Sequence, residues 1–205
     1  MDATLPSLIG FAIAMYITPG PNNAMLAASA ASYGMRATVP HMLGIACGFA
    51  FMMAVVTAGL ASAVLAWPLL LPLMRWGGAA WLLVLAWKIA NAPAPEAQPS
   101  GTHPSGKRGR VLGFGGAAAF QWVNPKGWLI AVAAAGMFIR PEQNLATQAA
   151  WISAVFVAVA LPCMLPWMLL GAGAGRVLRS PGRLRVFNVA MALLLVVSVV
   201  PLLLD

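Results

Sequence analysis

The feature that most constrains this chain is a series of apolar segments, each about as long as a helix that crosses a membrane. Hydrophobic residues make up 61% of its 205 residues and charged residues only 8%. That is too little charge to cover a soluble domain, whereas a helix of about 20 apolar residues crosses roughly 30 Å of hydrocarbon. The sequence therefore predicts an all-α polytopic membrane protein with six spans, at residues 5–31, 39–66, 68–90, 111–139, 147–173 and 186–204.

We treat residues 1–205 as a single domain that consists of two three-helix halves. The segment NAPAPEAQPSGTHPSGKRGR, residues 91–110, separates residues 1–90 from residues 111–205. Its proline, serine, glycine and basic residues are typical of a linker with no fold of its own. Met1 and Asp2 place no basic residue before the first apolar segment, so we expect a span there rather than a cleaved signal peptide.

The basic residues predict how the helices are oriented. With the N-terminus outside, Arg75 and Arg140 lie on the outer side, Lys126 lies within a span, and nine of the twelve basic residues lie in inner loops. Those nine are Arg36, Lys88, Lys107, Arg108, Arg110, Arg176, Arg179, Arg183 and Arg185. Because cytoplasmic loops are enriched in Lys and Arg, we expect both termini outside and the linker in the cytoplasm. The net charge of +8 then needs no nucleic-acid partner.

Three spans per half is an odd number, so the second half must lie inverted in the membrane relative to the first. Inverted repeats are a common plan of transporters, whose sites lie near the midplane where discontinuous helices meet. A pair of interrupted spans at corresponding positions indicates that plan. Pro19 and Pro125 each lie about fourteen residues into the first and fourth spans, so we expect helices 1 and 4 to be broken by proline motifs.

The prolines predict where backbone groups lose their helical partners. In helical register, Pro19 and Pro21 free the carbonyls of Met15 and Ile17, and Pro125 frees that of Gln121. In hydrocarbon each such group costs several kcal/mol unless protein, water or a ligand satisfies it. Such breaks therefore face the bundle interior or a wet cavity, and they create helix N-termini suited to an anionic group.

The side chains beside the breaks suit a small polar ligand. Asn22, Asn23 and Asn124 offer amide donors and acceptors, and Lys126 places a formal charge within a span, which by default indicates function. A substrate carboxylate would pair with Lys126, and the amides would hold the ammonium or the side chain. Two alternatives stay open: the prolines kink the helices for packing alone, or Lys126 extends to an interface.

Other candidates are weaker. Pro162 and Pro166 interrupt the fifth span without polar neighbours, which favours a packing kink or a hinge. His41 lies near the inner end of the second span and could carry protons, but its position favours an interfacial residue. The spans contain no metal-ligand spacing and no nucleophile–base pair, so we expect neither a cofactor nor an enzyme.

Four motifs, in order, carry a resemblance to a known family. They are TPGPNN (residues 18–23), YGMRATVPHMLGIACGF (33–49), WGGAAWLLVLAWKIA (76–90) and FQWVNPKGWLI (120–130). On these motifs the chain resembles the LysE/RhtB family of bacterial amino-acid exporters, over nearly its whole length apart from the linker. The GPNN, LAWKIA and FQWVNPK stretches are most similar to the cysteine and O-acetylserine exporter subgroup.

The resemblance implies a six-span carrier of the bacterial inner membrane that exports amino acids, driven by the proton gradient. It also implies a transport core around the two proline motifs. We therefore predict a substrate-binding set of Thr18, Pro19, Gly20, Pro21, Asn22, Asn23, Gln121, Asn124, Pro125 and Lys126. The partners expected are an amino-acid substrate and the lipid bilayer, and a homo-oligomer is left open.

One departure from the family pattern bears on the substrate. The basic-amino-acid exporters of the family carry an acidic residue in the second span, whereas GIACGFAFMMAVV has none. All four acids, Asp2, Glu96, Glu142 and Asp205, lie at ends or in loops, so a cationic side chain would find no partner. We therefore expect small neutral amino acids or derivatives, of the cysteine, O-acetylserine, threonine or homoserine type. The alternative function is a channel or a non-transporting membrane subunit.

Overall fold

The computed structural model describes residues 4–60, 69–91, 112–140, 142–177, 180–197 and 200, and these form α-helices without any strand. In chain order the helices are α1 (Thr4–Ile17), α2 (Pro21–Tyr33), α3 (Met35–Val55), α4 (Leu70–Ala90), α5 (Phe114–Phe120), α6 (Pro125–Phe138), α7 (Leu145–Val177) and α8 (Pro181–Val197). The segment Val56–Leu60 follows α3 and contains a kink at Gly59, where φ is 124°. A 3-10 turn, Gln121–Val123, follows α5. The all-α prediction is confirmed. Most of the predicted linker lies outside the described residues.

Two helices, Met35–Gly59 and Leu145–Val177, are long and apolar enough to cross a membrane. Three shorter helices, Thr4–Ile17, Trp76–Ala90 and Pro125–Phe138, are also apolar. The outward side chains of these helices are largely hydrophobic. Such a surface suits contact with lipid rather than with water.

The first predicted span is discontinuous at its proline motif. α1 ends at Ile17, Gly20 is fully extended with φ −177° and ψ −177°, and α2 starts with Pro21 as its first residue. The missing N–H of a proline costs least at that position, because the first helical N–H has no partner in any case. Two separate helices therefore occupy residues that one membrane helix would otherwise fill.

The fourth predicted span is interrupted in a similar way. The 3-10 turn after α5 ends at Val123, Asn124 adopts an extended conformation with φ −86° and ψ 105°, and α6 starts with Pro125. The residue before a proline is sterically biased away from the helical region, which accounts for the conformation of Asn124. Each interruption thus places a proline at the first position of the helix that follows it.

The longest helix, α7, packs against α1, α2 and α3. Its closest approach is to α2, where Gly171 and Gly175 face the backbone carbonyls of Ala27 and Ala31. A methyl group on either glycine would overlap those carbonyl oxygens. Small residues four apart let helix backbones meet in membranes, and here they hold α2 directly against α7.

A second glycine pair holds α5. Gly44 and Gly48 of α3 lie against the backbone of Phe114 and Ala118, again with no space for a methyl group. One helix of each interrupted span, α2 or α5, is therefore packed backbone to backbone against a long helix. These contacts fix the positions of α2 and α5 close to the two interruptions.

Two predictions away from the site are corrected by the structure. α7 continues as one helix through Pro162 and Pro166, so these prolines do not interrupt it. His41 is fully buried, with 0% of its surface exposed, and the prediction of an interfacial residue is wrong. α3 begins at Met35, before the predicted start at residue 39, so His41 lies in its second turn among neighbouring helices.

Candidate functional site

Lys126 joins the two interruptions. Its ammonium donates hydrogen bonds to the carbonyl oxygen of Thr18 over 2.8 Å and to that of Pro19 over 3.3 Å. Those carbonyls follow the end of α1, where the backbone lacks intrahelical donors and carries partial negative charge. The side chain is half-buried, and its charge is paired with backbone oxygens of the first interruption.

A reciprocal amide pair forms a second bridge. Asn22 Nδ2 donates to Gln121 Oε1 over 2.9 Å, and Gln121 Nε2 donates to Asn22 Oδ1 over 3.2 Å. Gln121 Nε2 also donates to the carbonyl of Ala117, 2.9 Å away in α5. Because Gln121 is fully buried, its amide is satisfied only by these protein groups among the described residues.

Asn23 satisfies carbonyls that the first interruption leaves open. Its Nδ2 donates to Tyr16 O over 2.8 Å and to Thr18 O over 3.1 Å. Neither hydrogen bond is to the carbonyl of Met15 or Ile17. Those two carbonyls stay a prediction as the groups that Pro19 and Pro21 leave free, because a proline has no N–H to donate. Asn23 is accordingly a structural cap of the interruption.

The remaining predicted carbonyl is satisfied within the backbone. The N–H of Asn124 donates to the carbonyl oxygen of Gln121 over 3.3 Å, closing the 3-10 turn that Pro125 follows. The Asn124 side chain is left out of this bonding. Its Oδ1 is buried and has no hydrogen-bond partner among the described residues, and only 2% of the residue's surface is exposed. A buried amide oxygen without a donor is costly, which makes it a candidate ligand contact.

A small cavity of about 30 Å³ lies where the interruptions meet. Both proline motifs line it, and Tyr16, Phe49 and Phe156 close its apolar side. The Tyr16 hydroxyl is a second buried polar atom with no hydrogen-bond partner in the described part of the chain. A cavity of this size holds about one or two water molecules, so the described conformation is closed to an amino acid.

The electrostatics of the cavity favour an anion. The N-termini of α2 and α6 both reach it, each with proline as the first residue and without a side-chain cap. Their first N–H groups carry the positive end of the helix dipole, and the Lys126 ammonium adds a full charge. Among the described residues that line the cavity, none is acidic. The formal charge of the described lining is therefore positive, and it lies beside the two helix N-termini.

Two glycines allow these close approaches. A Cβ on Gly20 would lie 3.0 Å from both Cδ and Nζ of Lys126. A Cβ on Gly78 of α4 would lie 2.7 Å from the carbonyl oxygen of Val123, beside the second interruption. Because Gly20 has no side chain, the Lys126 side chain can lie against it. Because Gly78 has none, α4 can pack against the 3-10 turn.

All ten predicted site residues lie at the junction of the two interruptions, but only some of them line the cavity. Six of them line the cavity, namely Gly20, Pro21, Asn22, Asn23, Asn124 and Lys126. Thr18 turns its hydroxyl to the carbonyl of Ala14, and Gln121 supports Asn22. The remaining two, Pro19 and Pro125, shape the backbone.

Sequence reasoning missed the apolar half of the cavity. Met15, Tyr16, Phe49, Ile130 and Phe156 also line it. Tyr16 lies two residues before the first motif, and a hydroxyl inside an apolar run was a usable signal. Phe49 and Phe156 lie in spans rich in apolar residues, and no local pattern distinguishes them.

Comparison with known proteins gives the class. The LysE type translocator model matches residues 13–205, and the chain belongs to this family. It is a membrane translocator, not an enzyme, which confirms the resemblance predicted from the motifs. The chain is 32% identical to the cysteine/O-acetylserine efflux proteins of Escherichia coli (strain K12) and Shigella sonnei (strain Ss046), over 88% of this chain and 87% of each relative. No solved structure matches.

Proposed function

We propose that this translocator exports small neutral amino acids or their derivatives, of the cysteine, O-acetylserine, threonine or homoserine type, from the cytoplasm. The observation that carries the proposal is the cavity at which Lys126 and the N-termini of α2 and α6 meet. The efflux proteins to which the chain is similar are named for cysteine and O-acetylserine. Both compounds are small zwitterions with no net side-chain charge.

The site has separate places for the two charges of such a substrate. An ammonium has three N–H donors, and Lys126 uses two of them on the carbonyls of Thr18 and Pro19. The third donor and the N-termini of α2 and α6 can bind a carboxylate. The oxygens of Asn124 and Tyr16, which have no partner among the described residues, can accept hydrogen bonds from the substrate ammonium.

The proposed architecture is six spans in two inverted repeats, with interrupted helices 1 and 4. In this scheme α1 and α2 correspond to α5 and α6, α3 to α7, and α4 to α8. Corresponding helices that lie near a twofold axis meet each other, and α3 contacts α7 while α4 contacts α8. A twofold relation also requires the contact of α3 with α5 to be repeated by α7 with α1, and both contacts are present.

We propose alternating access, driven by the proton gradient, as the transport mechanism. The central cavity is too small for the substrate, so its walls must move during each cycle. That closure favours a carrier over a channel, which needs a continuous wet path.

The proposed location is the bacterial inner membrane, with both termini outside. At one end of the bundle, Arg36 and Arg176 line a cavity beside the turn between α2 and α3. At the start of α1, Thr4 instead contacts Arg140. The concentration of basic residues at the first end supports its placement in the cytoplasm.

Efflux profiling of cells loaded with dipeptides tests the proposal. Cells that express the protein should release cysteine or O-acetylserine faster than cells with an empty vector, with saturable kinetics. A protonophore should reduce this release to the background rate. An unchanged amino-acid profile, with the protein detected in the membrane, would contradict the proposed export.

A further inference from the structure

A second and much larger cavity lies at the end of the bundle where α1 begins. Its volume is about 320 Å³, compared with about 30 Å³ for the central cavity. The start of α1, the end of α6 and the start of α7 enclose it. Ligand sites for small molecules begin at roughly 300 Å³. This cavity therefore has space for a small amino acid in the described conformation.

Arg140 supplies the charge of this cavity. The guanidinium Nη2 donates to Thr4 Oγ1 over 2.8 Å. Gln148 fixes the arginine backbone, because its Oε1 accepts from the Arg140 N–H over 2.7 Å and its Nε2 donates to the Arg140 carbonyl over 2.9 Å. A guanidinium has five N–H donors in a planar fork. No carboxylate in the described part of the chain forms an ion pair with it.

A row of aromatic rings separates the two cavities. Phe138 lines the larger cavity, and its ring centroid lies 5.8 Å from that of Phe11. Phe11 in turn lies 6.3 Å from Phe156, which lines the central cavity. The three rings thus form a continuous row of contacts from the lining of one cavity to the lining of the other.

We propose that the cavity at Arg140 is a second substrate site, where the guanidinium binds the carboxylate of an amino acid that has left the central cavity. The proposal rests on the amino-acid export proposed above. A guanidinium binds a carboxylate through two parallel hydrogen bonds, which gives the pair geometric specificity. Because the proposed topology places this site at the outer end, amino acid added outside the cell should also bind there and slow efflux.

Protection of Arg140 from chemical modification tests binding in the unchanged protein. Purified protein in proteoliposomes is treated with phenylglyoxal, and the modification of each arginine is followed by mass spectrometry. O-acetylserine should slow the modification of Arg140 and leave that of Arg183, an exposed arginine of α8, unchanged. Sodium chloride at the same concentration should give no protection. Equal protection by chloride, or none by O-acetylserine, would overturn the second site.

The Arg140→Gln variant tests the role of the site in transport. In the wild type, external O-acetylserine should inhibit efflux, and the half-inhibitory concentration should rise about tenfold or more in the variant, because a charged hydrogen-bond partner is lost. Arg183→Gln is the matched control and should behave like the wild type. Efflux with unchanged inhibition in Arg140→Gln overturns the second site and leaves the export function intact. Absence of efflux in the wild type overturns the export function itself. If Arg140→Gln does not insert, the protection measurement decides.

Discussion

The ammonium of Lys126 lies 2.8 Å from the carbonyl oxygen of Thr18, across the junction between the two halves of the chain. This bond places a cation at the carboxyl end of α1, where the helix dipole is negative. The same cation lies at the N-terminus of α6, where it favours a bound anion. One side chain therefore stabilises the closed junction and contributes to the proposed carboxylate site.

Substitution of Asn23 should mainly lower stability, whereas substitution of Asn124 should mainly weaken transport. Asn23→Ala removes hydrogen bonds to two carbonyls, so we expect a loss of about 1–3 kcal/mol in the free energy of unfolding. The Oδ1 of Asn124 has no partner within the described protein, so Asn124→Ala should change stability by less than about 1 kcal/mol and weaken transport about 2- to 13-fold, the loss of a neutral hydrogen bond. Thermal unfolding in detergent and efflux per inserted protein measure the two effects. The reverse assignment of effects would show that Asn124 is a structural residue.

The amide pair of Asn22 and Gln121 should behave as one coupled unit. Either Asn22→Ala or Gln121→Ala leaves the other amide without its partner, at a cost of about 1–3 kcal/mol. The double variant should be less destabilised than the sum of the single variants, with a coupling energy of about 0.5–3 kcal/mol. A double-mutant cycle on unfolding temperatures measures this energy. Strict additivity would mean that the two side chains do not interact in the protein.

The glycine contact between α2 and α7 should tolerate no methyl group. In Gly171→Ala the new Cβ overlaps the carbonyl of Ala27, and we expect destabilisation of about 1–3 kcal/mol, as for other overpacked sites. Gly173→Ala is a matched control, because a Cβ there has nothing within 4 Å and alanine favours helix. The yield of folded protein in detergent and its unfolding temperature measure both. Equal stability of the two variants would contradict the backbone contact.

Selectivity should follow the distribution of charge. A lysine or arginine substrate brings a second cation into a cavity that already contains Lys126 and two helix N-termini, and no acidic residue lies in a predicted span. We expect efflux of cysteine or homoserine to exceed that of lysine at equal internal concentration. Dipeptide loading with each amino acid makes the comparison. Faster export of lysine would contradict a selectivity set by the missing acid.

The interruptions could be predicted from the sequence because their causes are local. Proline lacks an N–H and restricts its neighbours wherever it occurs, so TPGPNN and NPK indicated the ends of helices without knowledge of the fold. The pairing of Asn22 with Gln121 could not be predicted, because it depends on which helix faces meet. The partners of Lys126 could not be predicted for the same reason. A substrate carboxylate was expected to pair with its ammonium, which in the structure donates to the carbonyls of Thr18 and Pro19.

Burial by neighbouring helices was the other property that sequence patterns did not show. His41 was assigned to an interface from its distance to the end of a span, yet it is fully buried. Phe49 and Phe156 line the central cavity, although their surroundings in the sequence are uniformly apolar. Where every face of a helix is hydrophobic, periodicity does not distinguish the lipid side from the protein side. Such residues require the packed structure.

The central claim is that Lys126 binds the substrate carboxylate, and efflux by Lys126→Ala tests it most directly. Lys88→Ala is the matched control, because Lys88 is exposed and its ammonium lies over the ring of Trp81, 5.9 Å from the centroid. Lys126→Arg should restore only part of the activity, since the guanidinium is larger and planar. With efflux normalised to protein in the membrane, we predict that Lys126→Ala loses nearly all export while Lys88→Ala keeps it. Export by Lys126→Ala at the wild-type rate would contradict the account.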